Sequence, residues 1–307
     1  MRNDVQQLLN GLFLGSIYAL FALGYTLVFG VLDVLNLAHS SVFTMGAVVS
    51  YSVVAIHGGP FWLAAVLGIA VSGGLGLVIE YASLRPLRRR AAPPITALVS
   101  TIGLALVLVS LIEQARGGAL FGWLWRDGAN SVRFPRGSVP EKTFRPFGLT
   151  LDVNKAAILV VTVVLVVALA WILRRSGAGR AMRAVAENPR AARYMGIDVD
   201  RVMAVTLVAS SALAGLAGIL YGLAISDISP YIGRDQLELR GLAVLVLGGM
   251  GSVVGSVVGG YLLAIAEVVA LLTIGSNFRA AVAFGLLFVM LVVRPQGLFG
   301  AARPERS

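Results

Sequence analysis

Cysteine is absent from the 307 residues. Without thiols the chain builds no disulfide scaffold, no thiolate zinc site, no iron–sulfur cluster and no cysteine nucleophile. Lysine is nearly as scarce: Lys142 and Lys155 are the only two, and neither follows a glycine. That removes the Walker A phosphate loop, and with it that route to binding ATP. Histidine stops at His39 and His57. Two histidines supply neither a ligand cluster at zinc spacing nor the nucleophile–base constellation of an enzyme. Charge as a whole is sparse. Charged side chains make up 13% of the chain against 58% apolar ones, and mean hydropathy is +0.87. A soluble domain usually carries about 25% charged residues. So little polar surface excludes an ordinary soluble enzyme, a disordered tail and a coiled coil.

What is present is a series of uncharged apolar runs, at 11–32, 61–79, 95–112, 156–173 and 202–226. Each is close to the roughly 20 residues a helix needs to cross a bilayer. The first is longer than the apolar core of a signal peptide and has no basic lead-in, so it reads as a retained helix. Two further regions are apolar but interrupted. Residues 34–56 carry Asn36, His39, Ser40, Ser41 and Thr44 in their first half. Residues 241–293 hold only Glu267 and Arg279 as formal charges among many glycines. That second region fits two full crossings with a dipping segment, or three crossings that include a short one. The expected fold is all-α: one polytopic transmembrane helix bundle over 1–307, of about eight membrane segments, some of them interrupted.

The net charge of +10 sits in the gaps between the apolar runs. Such loop charges orient a membrane protein and leave no nucleic-acid footprint. Arg85, Arg88, Arg89 and Arg90 form one basic loop, and 174–201 carries seven arginines against three acids. Two crossings separate these loops, so they share a face, which the positive-inside rule makes cytoplasmic. The intervening segment 116–155, with Pro135, Pro140 and Pro146, is then an external cap or hairpin. The tail with Arg294, Arg303 and Arg306 prefers the inside, and counting back from Arg85 puts the N-terminus outside.

The loop at 184–201 carries the clearest local signals. Asn188 suits an N-cap and Pro189 the first helical position. The helix "PRAARYM" then meets Gly196, a residue type that readily takes the left-handed C-terminal cap. Asp198 or Asp200 can cap the next helix. A helix this short is marginal alone and needs a surface to lie on. Ala191, Ala192 and Met195 form a small apolar face, with Arg190 and Arg193 on another. It either docks into a groove of a cytoplasmic partner or lies on the bilayer with its arginines on lipid phosphates.

Within the membrane, Asn36, His39 and Ser40 share a helical face by spacing, with Thr44 one turn beyond Ser40. They line a polar path or form a surface loop that caps the helix after them. Gly251, Gly255 and Gly259 recur every fourth residue beside Gly248, Gly249 and Gly260. This spacing serves close helix packing or a thin-walled path for solute. Interruptions at 34–46 and 247–260 occupy matching places in two halves, a pointer to a transporter site. Glu267 lies deep in an apolar run with no arginine or lysine partner evident in another span, and a structural hydrogen bond is the favoured role over proton relay. "GAGRAM" at 177–182 lacks the third glycine of a dinucleotide fingerprint.

Four stretches carry a resemblance: "GYTLVFGVLDVLNLAHSSVFTMGA" at 24–47, "RAVAENPRAARYMGIDVDRVMAVTLVASSALAGLAGIL" at 183–220, "LGGMGSVVGSVVGG" at 247–260 and "RPQGLFG" at 294–300. In order and spacing they are similar to the LivH-like permeases of bacterial branched-chain amino acid ABC importers. The resemblance implies a multi-pass subunit of the bacterial inner membrane; with the loop-charge orientation above, the N-terminus is then periplasmic and the C-terminus cytoplasmic. It implies a second, related permease as partner, two cytoplasmic ABC ATPase subunits and a periplasmic solute-binding protein. The chain would hold no cofactor of its own, ATP being bound by the ATPases, and neither a catalytic nor a metal site.

The family's coupling loop has an Ala-Ala-x-x-x-Gly core, which stands here as Ala191, Ala192 and Gly196, flanked by Glu187, Asn188, Pro189 and Met195. Arg190 replaces the acid that often precedes the alanines, and Ser40 replaces the glycine that commonly follows the histidine. A translocation path would draw on Asn36, His39, Ser40, Thr44, Gly248, Gly249, Gly251 and Gly255. Related permeases carry other amino acids, amides, urea, aromatic acids, sugars or nucleosides. A stand-alone secondary transporter is the alternative from another class.

Overall fold

The computed structural model describes residues 2–116, 122–125, 128–135, 137, 143–144 and 150–300. Pro140, Pro146, Lys142, Arg303 and Arg306 lie outside these described residues. Among the described residues twelve α-helices follow one another: α1 (Arg2–Leu32), α2 (His39–Tyr51), α3 (Phe61–Ile79), α4 (Arg85–Arg89), α5 (Pro94–Arg116), α6 (Val153–Arg175), α7 (Gly177–Glu187), α8 (Pro189–Tyr194), α9 (Val199–Ile225), α10 (Leu239–Gly248), α11 (Val253–Thr273) and α12 (Arg279–Val293). π-helical turns extend α2 over Ser52–Ile56, extend α3 over Glu80–Leu84 and lead into α10 over Gly233–Glu238. The only β-structure among the described residues is an isolated bridge, Val132 to Ile228, and a two-stranded antiparallel ribbon, β1 (Thr143–Phe144) with β2 (Leu151–Asp152).

Among the described residues eight helical segments are long and apolar enough to cross a membrane, in agreement with the apolar runs of the sequence. The bundle is built around α1, which packs on α11, α9 and α10. Four-fifths of its most apolar stretch is buried, against about a tenth in α6 and less in α12. Those two outer helices therefore meet lipid or another chain.

Contacts fix which ends lie together. Gln6 exchanges hydrogen bonds with the Thr150 backbone at 2.9 and 3.0 Å, and Lys155 reaches Asn10 at 3.1 Å. The N-terminus thus shares an end with the 116–155 segment, here termed the hairpin end. At the opposite, arginine end, Asp200 pairs with Arg85 at 3.2 Å and Arg88 at 2.9 Å, so the two basic loops do share a face. Residues 294–300 belong to that end as well: the Leu298 and Phe299 amides donate to the Leu247 and Gly248 carbonyls at 2.9 and 3.0 Å.

The parity of 241–293 is settled by the same frame. Chain leaving α9 at the hairpin end turns back at Ser226, and Gly233–Gly248 runs to the arginine end as a short pass before α11 and α12. The second of the two sequence alternatives is the one found.

Three expectations need correction. The stretch 247–260 is not an interrupted helix but the end of α10, a turn at Gly249–Ser252 and the start of α11. The break that matches 33–38 is 226–232: each leads into a helical turn, and those two turns meet where Gly233 and Glu238 contact Thr44 and Ser40. Second, Asn36 precedes α2 and shares no helical face with His39 and Ser40. Third, Glu267 has a charged partner. Arg240 Nε donates to it at 2.6 Å and the Tyr18 hydroxyl at 2.9 Å, so both carboxylate oxygens are engaged. Arg240 sits just ahead of the apolar run that begins at 241, so it belongs to none of the uncharged spans of the sequence. Both charges are largely sequestered, with 15% and 1% of the side chains exposed. Removing one partner of a buried pair typically costs about 3–5 kcal/mol. Arg240→Met is therefore expected to lower the melting temperature of the detergent-solubilised protein, and adding Glu267→Gln is expected to restore part of it.

Backbones approach closely where glycines meet. A Cβ on Gly46 of α2 would overlap the Gly215 backbone of α9, and one on Gly215 would overlap Ser72 of α3. Small residues let three helices converge at one level.

Candidate functional site: the arginine end and the half-depth polar wall

The arginine end carries a helical arm that leaves the bundle and returns. Ser176 caps α7 by accepting from the Gly179 amide at 2.9 Å. α7 is strongly amphipathic, and its Met182 and Val185 bury against Val31, Ala192, Val199 and Met203. A corner at Asn188 follows. Its Oδ1 accepts from the Arg190 and Ala191 amides at 3.0 Å each, and Pro189 occupies the first position of α8.

Gly196, at φ +81°, closes α8. Its amide donates to the Arg193 carbonyl and the Ile197 amide to the Ala192 carbonyl, both at 3.0 Å, which is a Schellman cap. Asp198 then caps α9 through the Arg201 amide at 3.0 Å. Every cap the sequence predicts here is formed.

The apolar face predicted for α8 is split. Ala192 is 3% exposed and seats the helix on α7 and α9. Ala191 points out, together with Tyr194 at 92% and Met195 at 82% exposure, and Glu187, Asn188 and Arg190 are also exposed. Tyr194 was not singled out from the sequence. An aromatic residue in a loop of alanines and arginines is the signal that was there.

Asp200, read from sequence only as a possible cap, is the electrostatic hub of this end. Besides Arg85 and Arg88 it lies 3.5 Å from Arg89 and 3.9 Å from Arg193, and Arg88 also pairs with buried Glu80 at 2.6 Å. One carboxylate thus ties the start of α9 to α4 and to the far side of α8. A cavity of about 380 Å³ opens beside it, lined by Tyr81, Arg85, Asp198, Asp200 and Arg201 among others. Asp200→Asn leaves several arginines facing one another. It is expected to raise protease cleavage within 177–198 severalfold, read by limited proteolysis, without unfolding the bundle.

Inside the bundle the polar residues divide. His39 is buried between the rings of Phe21 and Tyr25, whose centroids lie 4.8 and 4.7 Å away. Its Nε2 meets the Phe21 carbonyl at 3.1 Å and its Nδ1 lies 3.4 Å from Ser210 Oγ. His39 thus joins α2 to α1 and α9. Asn36 turns back on itself, Oδ1 accepting from the Ala38 amide at 3.2 Å, while Nδ2 is buried without an acceptor. Ser40 and Thr44 point another way, toward the Gly233–Glu238 turn: Ser40 Oγ donates to Glu238 at 3.1 Å, and Thr44 Oγ1 accepts from the Gly233 amide at 3.1 Å.

Gly248 and Gly255 lie backbone to backbone across the α10–α11 turn, and Gly249 and Gly251 take φ of +99° and +88° within it. Gly249 also abuts Gly297 and Gly300 of the chain end, and Gly251 lies beside Gly30. These four glycines form a packed corner at the arginine end, well separated along α10 from Ser40 and Thr44. No group of three or more potential metal ligands occurs among the described residues.

A bundle of apolar crossings, with a half-depth break in two places and a capped arm projecting at one end, defines a polytopic membrane protein of the permease class. The sequence profile of the branched-chain amino acid transport system permease component matches residues 7–293. The chain belongs to this family. It is 36% identical over 317 residues to the LivH permease protein of the high-affinity branched-chain amino acid transport system of Escherichia coli K12, covering 98% of this chain and 96% of that one. It is 32% identical to the corresponding BraD protein of Pseudomonas aeruginosa, over the same shares. To LivM, a second permease protein named for the same system in Salmonella typhimurium, it is 27% identical over 94% of this chain and 69% of that one.

Proposed function

We propose that this chain is a permease subunit of an ATP-driven importer in the bacterial inner membrane, with branched-chain amino acids as its solutes. The observation that carries the coupling role is α8. It is capped at both ends, seated by Ala192, and presents Ala191, Tyr194 and Met195 outward, uncovered by the other described residues. A short helix with exposed apolar side chains fits a groove on another protein better than it fits water.

In this reading ATPase subunits grip α8 and hydrolyse the ATP, while the chain itself binds none. Their motion is passed through the Asp200 hub to α4 and α3 and through the rigid α7 packing to α1. The bundle then shifts between outward- and inward-open states. The arginine end is cytoplasmic and the hairpin end periplasmic, where a solute-binding protein delivers its cargo. A second permease completes the path, and similarity to both LivH and LivM supports a paired arrangement.

The test is reconstitution. Proteoliposomes holding the two permeases and two ATPases, supplied with the binding protein, are expected to accumulate leucine only with ATP inside the ATPase-facing compartment. Leucine flux through the chain alone, driven by an ion gradient, would overturn the reading in favour of a secondary transporter.

A further inference from the structure

The Gly233–Arg240 segment places charge where lipid cannot accommodate it. Its depth follows from its neighbours. Gly233 and Glu238 bond to Thr44 and Ser40, and twelve helical residues, about 18 Å, separate Thr44 from the hairpin end of its span at Ile56. Gly241 packs on Phe21 and Tyr25 in the central part of α1. At this level the Arg234 and Asp235 side chains are 56% and 57% exposed, and Gln236 is exposed beside them.

Ionisable side chains at such depth face a bundle interior or a water-filled cavity, not hydrocarbon. A contact with another chain is the other way to cover them, but interface cores are depleted in charge. The backbone is a π-helical turn here, a local distortion that is frequent at functional sites. Beside it a groove of about 210 Å³ runs between α10 and α12, lined by Asp235, Gln236, Leu239, Arg240 and Phe284 among others.

Glu238 adds the chemical clue. It is half-buried, and among the described residues its one hydrogen bond comes from Ser40, with no arginine or lysine in ion-pair range. Among the described residues the fully buried carboxylates each have a cation: Glu80 has Arg88 and Glu267 has Arg240. We infer that Arg234, Asp235, Gln236 and Glu238 form the solute-facing wall of the translocation path, and that Glu238, steadied by Ser40, receives the ammonium group of a zwitterionic amino acid. The ammonium assignment rests on the amino acid reading above, whereas the wall does not.

The absence of cysteine makes the wall directly testable, since any single introduced thiol is unique. Gln236→Cys is made in the full chain and probed in membrane vesicles of its own host, with whatever chains natively assemble with it. It is expected to react with a membrane-impermeant methanethiosulfonate. Val164→Cys on the outer face of α6, 59% exposed in the wild type, is expected to react only with a lipid-soluble maleimide. Reaction of Gln236→Cys with the lipid-soluble reagent alone, or with neither, would overturn the wall in favour of lipid or a protein contact.

For the solute role, Glu238→Gln is expected to lower leucine uptake at saturating binding protein at least tenfold with nucleotide hydrolysis retained. Glu238→Asp is expected to recover most of it. Unchanged uptake in Glu238→Gln, or an equal loss in Glu238→Asp, would remove Glu238 from solute contact. An assembly that takes up no leucine in the wild type would sink the amino acid reading, and the thiol labelling would still decide the wall.

Discussion

Gly196→Pro is expected to abolish ATP-driven uptake while the bundle still inserts. At φ +81° the position lies outside the range a proline ring permits, and the substitution also deletes the amide that donates to Arg193. The Schellman cap opens, and α8 loses the fixed orientation that makes it a lever. The expected uptake is below about a tenth of wild type, in line with the roughly 10²-fold that small misplacements of a positioning element can cost.

Ala191→Arg reaches the same outcome by another route. Ala191 is exposed, so a long cation there strains nothing inside the chain and acts only on whatever covers α8. Ala192→Arg is different, because its side chain would enter the cluster of Val185 and Val199 and loosen the arm itself. Uptake and ATPase activity measured side by side separate these cases. Ala191→Arg should uncouple the two with normal expression, and uptake that survives both Gly196→Pro and Ala191→Arg would remove α8 from the coupling role.

The second large effect falls on folding. Gly46→Val or Gly215→Val is expected to yield no monodisperse protein, because the added carbons meet backbone and the Ser72 side chain, not a yielding side-chain tip. Overpacking a core costs about 1–3 kcal/mol when neighbours can adjust. Here three helices would have to separate, and the cost exceeds that range. Gly74→Val serves as the comparison, since a Cβ at Gly74 meets nothing within 4 Å. Size-exclusion profiles of the two kinds of variant should differ plainly. Equal behaviour would mean that the α2–α9 contact is looser than the structure has it.

Much of the arginine end was legible in the chain because its determinants are local. Asn188 and Asp198 accept from amides two or three residues on, Pro189 takes the first helical position and Gly196 donates its amide three residues back, and each does in the structure what its chemistry favours. The face of α8 was not legible. Helical spacing groups Ala191, Ala192 and Met195, but which of them turns inward depends on where α7 and α9 lie. Asp200 shows the same limit: it meets Arg85 and Arg88 across more than a hundred residues, a distance over which sequence spacing carries no signal.

The polar residues before and within α2 were noticed for the right reason, their cost in an apolar surrounding, yet assigned to one face. The turn at Leu37–Ala38, in which the His39 amide donates to the Asn36 carbonyl, sets Asn36 off the helix that carries His39. The glycine stretch 247–260 reads in sequence as one broken helix because glycine content does not distinguish a turn from a close contact. It holds both, a turn at Gly249–Ser252 and close contacts at Gly248 and Gly255.

What the chain alone determined is its solvent and its crossings. Apolar run length must match bilayer thickness whatever the neighbours do, and loop arginines mark an end whatever the packing. What only the tertiary structure decided is partnership: Arg240 with Glu267, Ser40 with Glu238, Asp200 with its arginines, and the short pass of α10 that sets the parity. A polar group in an apolar bundle must find its counterpart through space, and that choice is made by how helices distant in sequence come to lie side by side.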